Sequence, residues 1–82
     1  MARVRFFSHM AQVLGLREQE VRADTLDELL DKLRAEHGET LTQRLPHCKL
    51  LLNDRAIDPR RDGGTALGPD DEVGLLPPAA GG

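Results

Sequence analysis

The chain has 82 residues, 39% hydrophobic and 30% charged, with eleven basic against fourteen acidic side chains and a net charge of −3. That length holds one small domain in an economical two-layer packing. The acidic balance and the lone aromatic pair Phe6-Phe7 speak against nucleic acid, which wants cations interleaved with stacking rings. The single Cys48 excludes an internal disulfide and fits a reducing cytosol. Met1 to Phe7 enters a strand pattern at once, and no apolar run is long enough for a signal peptide or a membrane span. A cytoplasmic protein with no membrane and no nucleic-acid partner is expected.

Arg3-Val4-Arg5-Phe6-Phe7 alternates as a strand does, with Val4 and Phe6 on one side and Arg3, Arg5 and Phe7 on the other. Ser8 to Gly15 reads as a turn or short helical piece, Ser8 its N-cap and Ala11 and Leu14 facing inward. Glu18 to Ala23 alternates again, with Val21 and Ala23 inward, and two strands so close in sequence pair antiparallel. Asp24 to His37 is the clearest helix. Leu26, Leu29, Leu30 and Leu33 make one apolar stripe, Thr25 and Glu28 form a capping-box pattern, Glu28 and Lys32 can pair, and Gly38 ends it.

Thr40 to Leu45 predicts one more helical turn before Pro46. Cys48 to Asn53 is the next strand, its three leucines calling for cover on part of both faces. Asn53-Asp54 is a turn, Arg55 to Asp58 a short edge strand before Pro59, and Arg60 to Gly64 a polar, Gly-rich loop. After a turn at Pro69-Asp70-Asp71, the last strand runs from Glu72 to Leu76, with Val73 and Leu75 toward the helix and Leu76 away. Such an apolar strand belongs inside a sheet, beside the first one. The expected fold is α+β, a ubiquitin-like β-grasp with a mixed four- to five-stranded sheet on one main helix.

The chain's organising stretch is its end. Residues 1–76 are expected to form the domain and 77–82 a reactive tail. Pro77-Pro78 favours an extended exit, and Ala79-Ala80 leads to Gly81-Gly82, whose bare backbone threads a channel too narrow for side chains. Full extension from Pro77 to Gly82 spans roughly 20 Å at about 3.3 Å per residue, enough to carry the Gly82 carboxylate into a partner's active site. Strand alternation also places Phe7 beside Leu76 on the face away from the helix, and with Arg5 these are the candidate docking residues.

Phe6-Phe7-Ser8, Thr25-Leu26-Asp27-Glu28-Leu29-Leu30, Leu52-Asn53 and above all Asp71-Glu72-Val73, Leu75-Leu76-Pro77-Pro78 and Gly81-Gly82 resemble the ubiquitin-like sulfur carriers of the MoaD/ThiS type. Within them the chain is most similar to the small subunit of molybdopterin synthase, and the resemblance covers essentially its whole length. The thiamine-pathway carriers share the Gly-Gly end but usually lack Pro-Pro. The family usually has Gly-Asp where this chain has Asp70-Asp71, so a positive φ at some strain is expected at Asp70.

The resemblance implies a carrier with no catalytic side chains and no bound cofactor. An E1-like (MoeB-like) adenylating partner would join Gly82 to AMP at the expense of ATP, and a persulfide donor would replace AMP to leave a thiocarboxylate. The tail would then insert into the large (MoaE-like) subunit of molybdopterin synthase and deliver that sulfur. Carriers for thiamine, cysteine or tRNA thiolation, and a modifier joined to lysines, use the same activated carboxyl. No zinc-site spacing links His9, His37 and His47 to Cys48, and a lone Cys at a strand start is more often packed than a persulfide carrier.

Overall fold

The computed structural model describes residues 1–77. Five strands form one sheet in the order β2-β1-β5-β3-β4. β1 (Ala2–Phe6) runs antiparallel to β2 (Glu18–Val21) and parallel to β5 (Glu72–Leu76); β3 (Lys49–Leu52) runs antiparallel to β5 and to β4 (Arg55–Ile57). The expected β-grasp is the observed one, with the last strand in the middle of the sheet.

The reason lies in side-chain period. Along β1, burial alternates residue by residue, which puts Ala2, Val4 and Phe6 on the inner face. α1 (Leu26–His37) lays Leu26, Leu29, Leu30 and Leu33 against that face, all at most 1% exposed, and Val21, Leu50, Val73 and Leu75 complete the same core. Each such side chain, fully buried, contributes about 1.5–3 kcal/mol, which offsets the ordering of so short a chain.

The helix start is closed on every side. Thr25 Oγ1 accepts from the Glu28 N–H at 3.2 Å, and Glu28 Oε1 reaches back to the Asp24 N–H at 3.3 Å. The Leu26 and Asp27 N–H groups donate to the Thr65 and Gly63 carbonyls at 3.0 and 2.9 Å. The first-turn donors that a helix leaves open are thereby satisfied by its own cap and by the loop before β5. Glu28 and Lys32 form the expected pair at 3.5 Å, and Gly38 ends the helix at φ +65°.

The segment after β1 forms the expected short helix, His9–Leu14, with Ala11 and Leu14 half-buried against the core and Met10, which the sequence did not single out, fully buried. Three local expectations need correction. Ser8 precedes that helix at φ +49° without a side-chain cap bond. Pro59–Asp62 is one helical turn inside the supposed polar loop, because the Asp58 carboxylate accepts from the Arg60 N–H and Pro59 suits a first helical position. Asp70 does not have positive φ; among the described non-glycine residues that conformation falls on Ser8, Asn53 and Asp54. The β3–β4 hairpin therefore carries the left-handed pair, and the turn before β5 closes through side chains instead. The helical turn expected before Pro46 is present as Glu39–Thr42, with a 3₁₀ turn at Leu45–His47.

Candidate functional site: the outer sheet face and the root of the tail

The face of the sheet away from α1 is where the candidate docking residues come together. Phe7 follows β1 directly, and its N–H donates to the Leu75 carbonyl at 3.1 Å, which extends the parallel pairing one residue beyond the strand. With Phe6 opposite Leu75, Phe7 and Leu76 lie side by side on the outer face. The Arg5 guanidinium sits 5.2 Å from the Phe7 ring centroid, a cation–π distance, and Arg5 also faces Glu72 at 3.7 Å. Phe7, Leu51 and Leu76 are half-buried, an apolar patch in a face otherwise carrying Arg3, Glu20, Lys49 and Glu72.

Gly74 makes that patch possible. It pairs with Arg5 on one side and Leu51 on the other, and a Cβ there would fall 2.9 Å from Phe7 Cε2 and 3.7 Å from Leu51 Cβ. The Phe7 ring therefore rests on bare backbone. Sequence reasoning missed this role, although a glycine inside an apolar strand is itself a signal of close approach.

Side chains pin the start of β5. Asp71 accepts from the Gly68 N–H at 2.7 Å and from Asn53 Nδ2 at 2.9 Å, while Asn53 Oδ1 accepts from the Glu72 N–H at 2.9 Å. The Gly68 bond first, and then Asn53, hold the Asp71 carboxyl below its ordinary range. Asp71 thus anchors the turn into β5 through its side chain. The strand's other end, with Leu76 opposite Lys49, leads into Pro77. Pro78, Ala79, Ala80, Gly81 and Gly82, the rest of the tail, lie outside the described residues.

The remaining candidate chemistry resolves into structure. The Cys48 thiol donates to the Arg44 carbonyl at 3.3 Å and lies 3.9 Å from Met10 Sδ. Partial burial pushes its pKa up, against a smaller lowering by Arg44, the opposite of what a reactive thiol needs. His37 bonds Gln19 Oε1 through Nε2 at 2.8 Å and meets Phe6 edge-on at 5.9 Å. Among the described residues, no group of three His, Cys, Asp or Glu side chains is placed to hold a metal ion, and no helix is long and apolar enough to cross a membrane.

Comparison with known proteins follows the same lines. The ThiS family profile matches residues 4–82. A chain from the complex of subunits 1 and 2 of molybdopterin-converting factor of Helicobacter pylori 26695 is 33% identical over 99% of this chain and 97% of that one, with a TM-score of 0.73. Small archaeal modifier protein 1 from Haloferax volcanii is 29% identical, over 99% and 98%, with a TM-score of 0.75. Its counterpart from Methanosarcina acetivorans superposes at 0.84 with 21% identity, over 99% and 95%, a likeness of fold. No curated protein matches the sequence.

Proposed function

Because the chain belongs to the ThiS family of ubiquitin-like sulfur carriers, we propose that it serves as the sulfur-carrying small subunit of molybdopterin synthase. The observation that carries this reading is the apolar patch of Phe7, Leu51 and Leu76, seated on Gly74 where β5 gives way to Pro77-Pro78. A docking face at the root of the tail lets a partner grip the folded body while the tail threads inward. The 33% identity to a chain of the Helicobacter pylori complex favours a large subunit of that kind as the partner.

The chemistry belongs to Gly82. A carboxylate is a poor electrophile, because its charge is delocalised and oxide is a bad leaving group. An adenylating partner joins one carboxylate oxygen to the α-phosphate of ATP and releases pyrophosphate. The terminal sulfur of a persulfide then displaces AMP, and thiol cleavage of the resulting acyl disulfide frees the thiocarboxylate. In the large subunit the C–S bond breaks, sulfur passes to the pterin precursor, and water restores the carboxylate. This chain supplies position and a reacting group; the acids, bases and metal ions of each step belong to its partners. Phe7, Arg5 and Leu76 hold the partner, and Pro77 to Gly81 span the channel.

Intact-mass analysis of the full chain, incubated with ATP, an adenylating enzyme and a persulfide donor, tests this. The expected result is one oxygen-to-sulfur increment on Gly82, lost when the charged carrier meets the large subunit and the pterin precursor. Deleting Gly82 or adding one residue should abolish it, because one residue moves the reacting carbon about 3.5 Å and misplacement of about 1 Å already costs on the order of a hundredfold. Sulfur uptake at a near-native rate by the lengthened chain overturns the reading. The 29% identity to the Haloferax volcanii modifier protein favours a second reading, conjugation to lysines. Isopeptide-linked adducts on cell proteins, without transfer to the pterin precursor, would establish it instead.

A further inference from the structure

One edge of the sheet opens into a groove that begins beside Leu76 and Pro77 at the root of the tail and runs away from the Phe7 face to β4. The two-residue turn at Asn53-Asp54 makes Leu52 and Arg55 a hydrogen-bonded pair, so Leu50 and Ile57 form the next. The other side of β3 has matching parity: the Asn53 N–H donates to the Glu72 carbonyl at 2.8 Å, which commits Leu51 and Lys49 to β5. The N–H and C=O of Ala56 therefore point away from the sheet. Beside them lies a groove of about 1020 Å³, where β3 begins and β4 and β5 end. Half-buried Ile57, Pro59, Leu76 and Pro77 give it apolar walls over a floor of the buried Leu30, Leu45 and Leu50.

The charge around this groove runs against that of the chain. Arg34, Lys49 and Arg60 line it with Asp58 as the one carboxylate, in a protein of net charge −3. Asp58 already accepts from the Arg60 N–H at 3.0 Å, and Arg34 is paired with Asp31 at 2.9 Å. Lys49 and Arg60 make no ion pair among the described residues.

We propose that the groove and the β4 edge take one extended segment of a partner protein, aliphatic at its centre and acidic at its flanks, added as a sixth strand. Each part of that chemistry answers a feature of the surface. The open Ala56 amide and carbonyl call for extended backbone, the leucine and isoleucine walls for aliphatic side chains, and Lys49 and Arg60 for carboxylates. β4 has three residues and Pro59 follows closely, offering no N–H, so the added strand makes few backbone bonds and the contact is transient.

The probe is an acetylated and amidated octapeptide of four valines flanked at each end by two glutamates, titrated into the ¹⁵N-labelled full chain. Amide shifts should centre on Ala56, Ile57 and Arg60, alkylation of Cys48 in the groove should slow, and lysine flanks should weaken binding about tenfold. The double variant K49E/R60E, two exposed positions, should reverse the preference for glutamate over lysine flanks while keeping native spectral dispersion. N-methylation of alternate central valines should remove binding. Equal binding of both peptides, or shifts centred on β2 or on Phe7, overturns the proposal. So do concentration-dependent shifts at the groove without peptide, which would mark a second copy as occupant. Larger shifts there from a peptide matching residues 77–82 would mark the chain's own tail and refute it equally. Sulfur uptake by Gly82, read by mass, is independent of every one of these results.

Discussion

Replacing Gly74 by alanine should separate docking from folding. The new Cβ would sit 2.9 Å from Phe7 Cε2, whereas carbon contacts are optimal at about 3.5–4.0 Å, so the ring tip must retreat by roughly 0.6–1 Å. Phe7 is half-buried on an open face and can move; a displaced rotamer costs about 0.5–1.5 kcal/mol. Alanine in place of glycine returns about 0.4–1 kcal/mol by restricting the unfolded chain. The net change in stability should be within about 1 kcal/mol, and the shift in Tm within about 4–8 °C for a domain of this size. Docking has no such compensation, because the aromatic anchor loses the seat that fixes its height above the sheet. Affinity for the proposed large-subunit partner, measured by calorimetry, should fall about tenfold, and Phe7→Ala should cost about 2 kcal/mol or more. The double variant should bind no worse than Phe7→Ala alone, since without the ring the alanine obstructs nothing. Native affinity for Gly74→Ala, or full additivity in the double variant, would refute the argument.

Three further outcomes follow from the core, the turn and the thiol. Leu33→Ala, at a fully buried position of the stripe, should lower unfolding free energy by about 2–5 kcal/mol in a urea titration, with unchanged docking chemistry in whatever fraction stays folded. The depressed Asp71 carboxyl contributes stability that is fully present above its unfolded pKa and lost as pH falls through the lower folded value. Asp71→Asn should therefore lower stability at neutral pH and flatten its acid limb, which thermal melts from neutral pH down to below the carboxylate range would read. Cys48, with its pKa raised by burial, should react with iodoacetamide at pH 7 more slowly than free cysteine, and Cys48→Ser should still accept sulfur at Gly82.

What the sequence made legible follows from period. Four leucines at helical spacing and a strand alternating between charge and apolar residue specify both layers, and the apolar run Val73-Gly74-Leu75-Leu76 specifies a central strand. Met10 was hidden because its helix has only six residues, too short a window for 3.6-residue periodicity to separate it from Ala11 and Leu14. The turn at Pro59–Asp62 was masked by polar composition, although Asp58-Pro59 carries a start signal. The seat of Phe7 on Gly74 joins opposite ends of the chain, and no local pattern encodes such a pair. The anchoring of Asp71 by Asn53 is of the same kind, with each residue read as a turn former and their partnership visible only once β3 and β5 are adjacent.

The place of β5 also dictates the order of assembly on the ribosome. The hairpin of β1 and β2 and the hairpin of β3 and β4 can each close from neighbouring sequence, yet they share no edge until Glu72–Leu76 arrives between them. Until then a nascent chain exposes two unsatisfied strand edges and an unroofed leucine stripe, the features that invite aggregation. Among the described strands β5 is synthesised last, and it is the keystone of the sheet. A chain broken off before β5 therefore stays open to chaperones and proteases, and every copy that closes its sheet has been translated as far as the root of the tail.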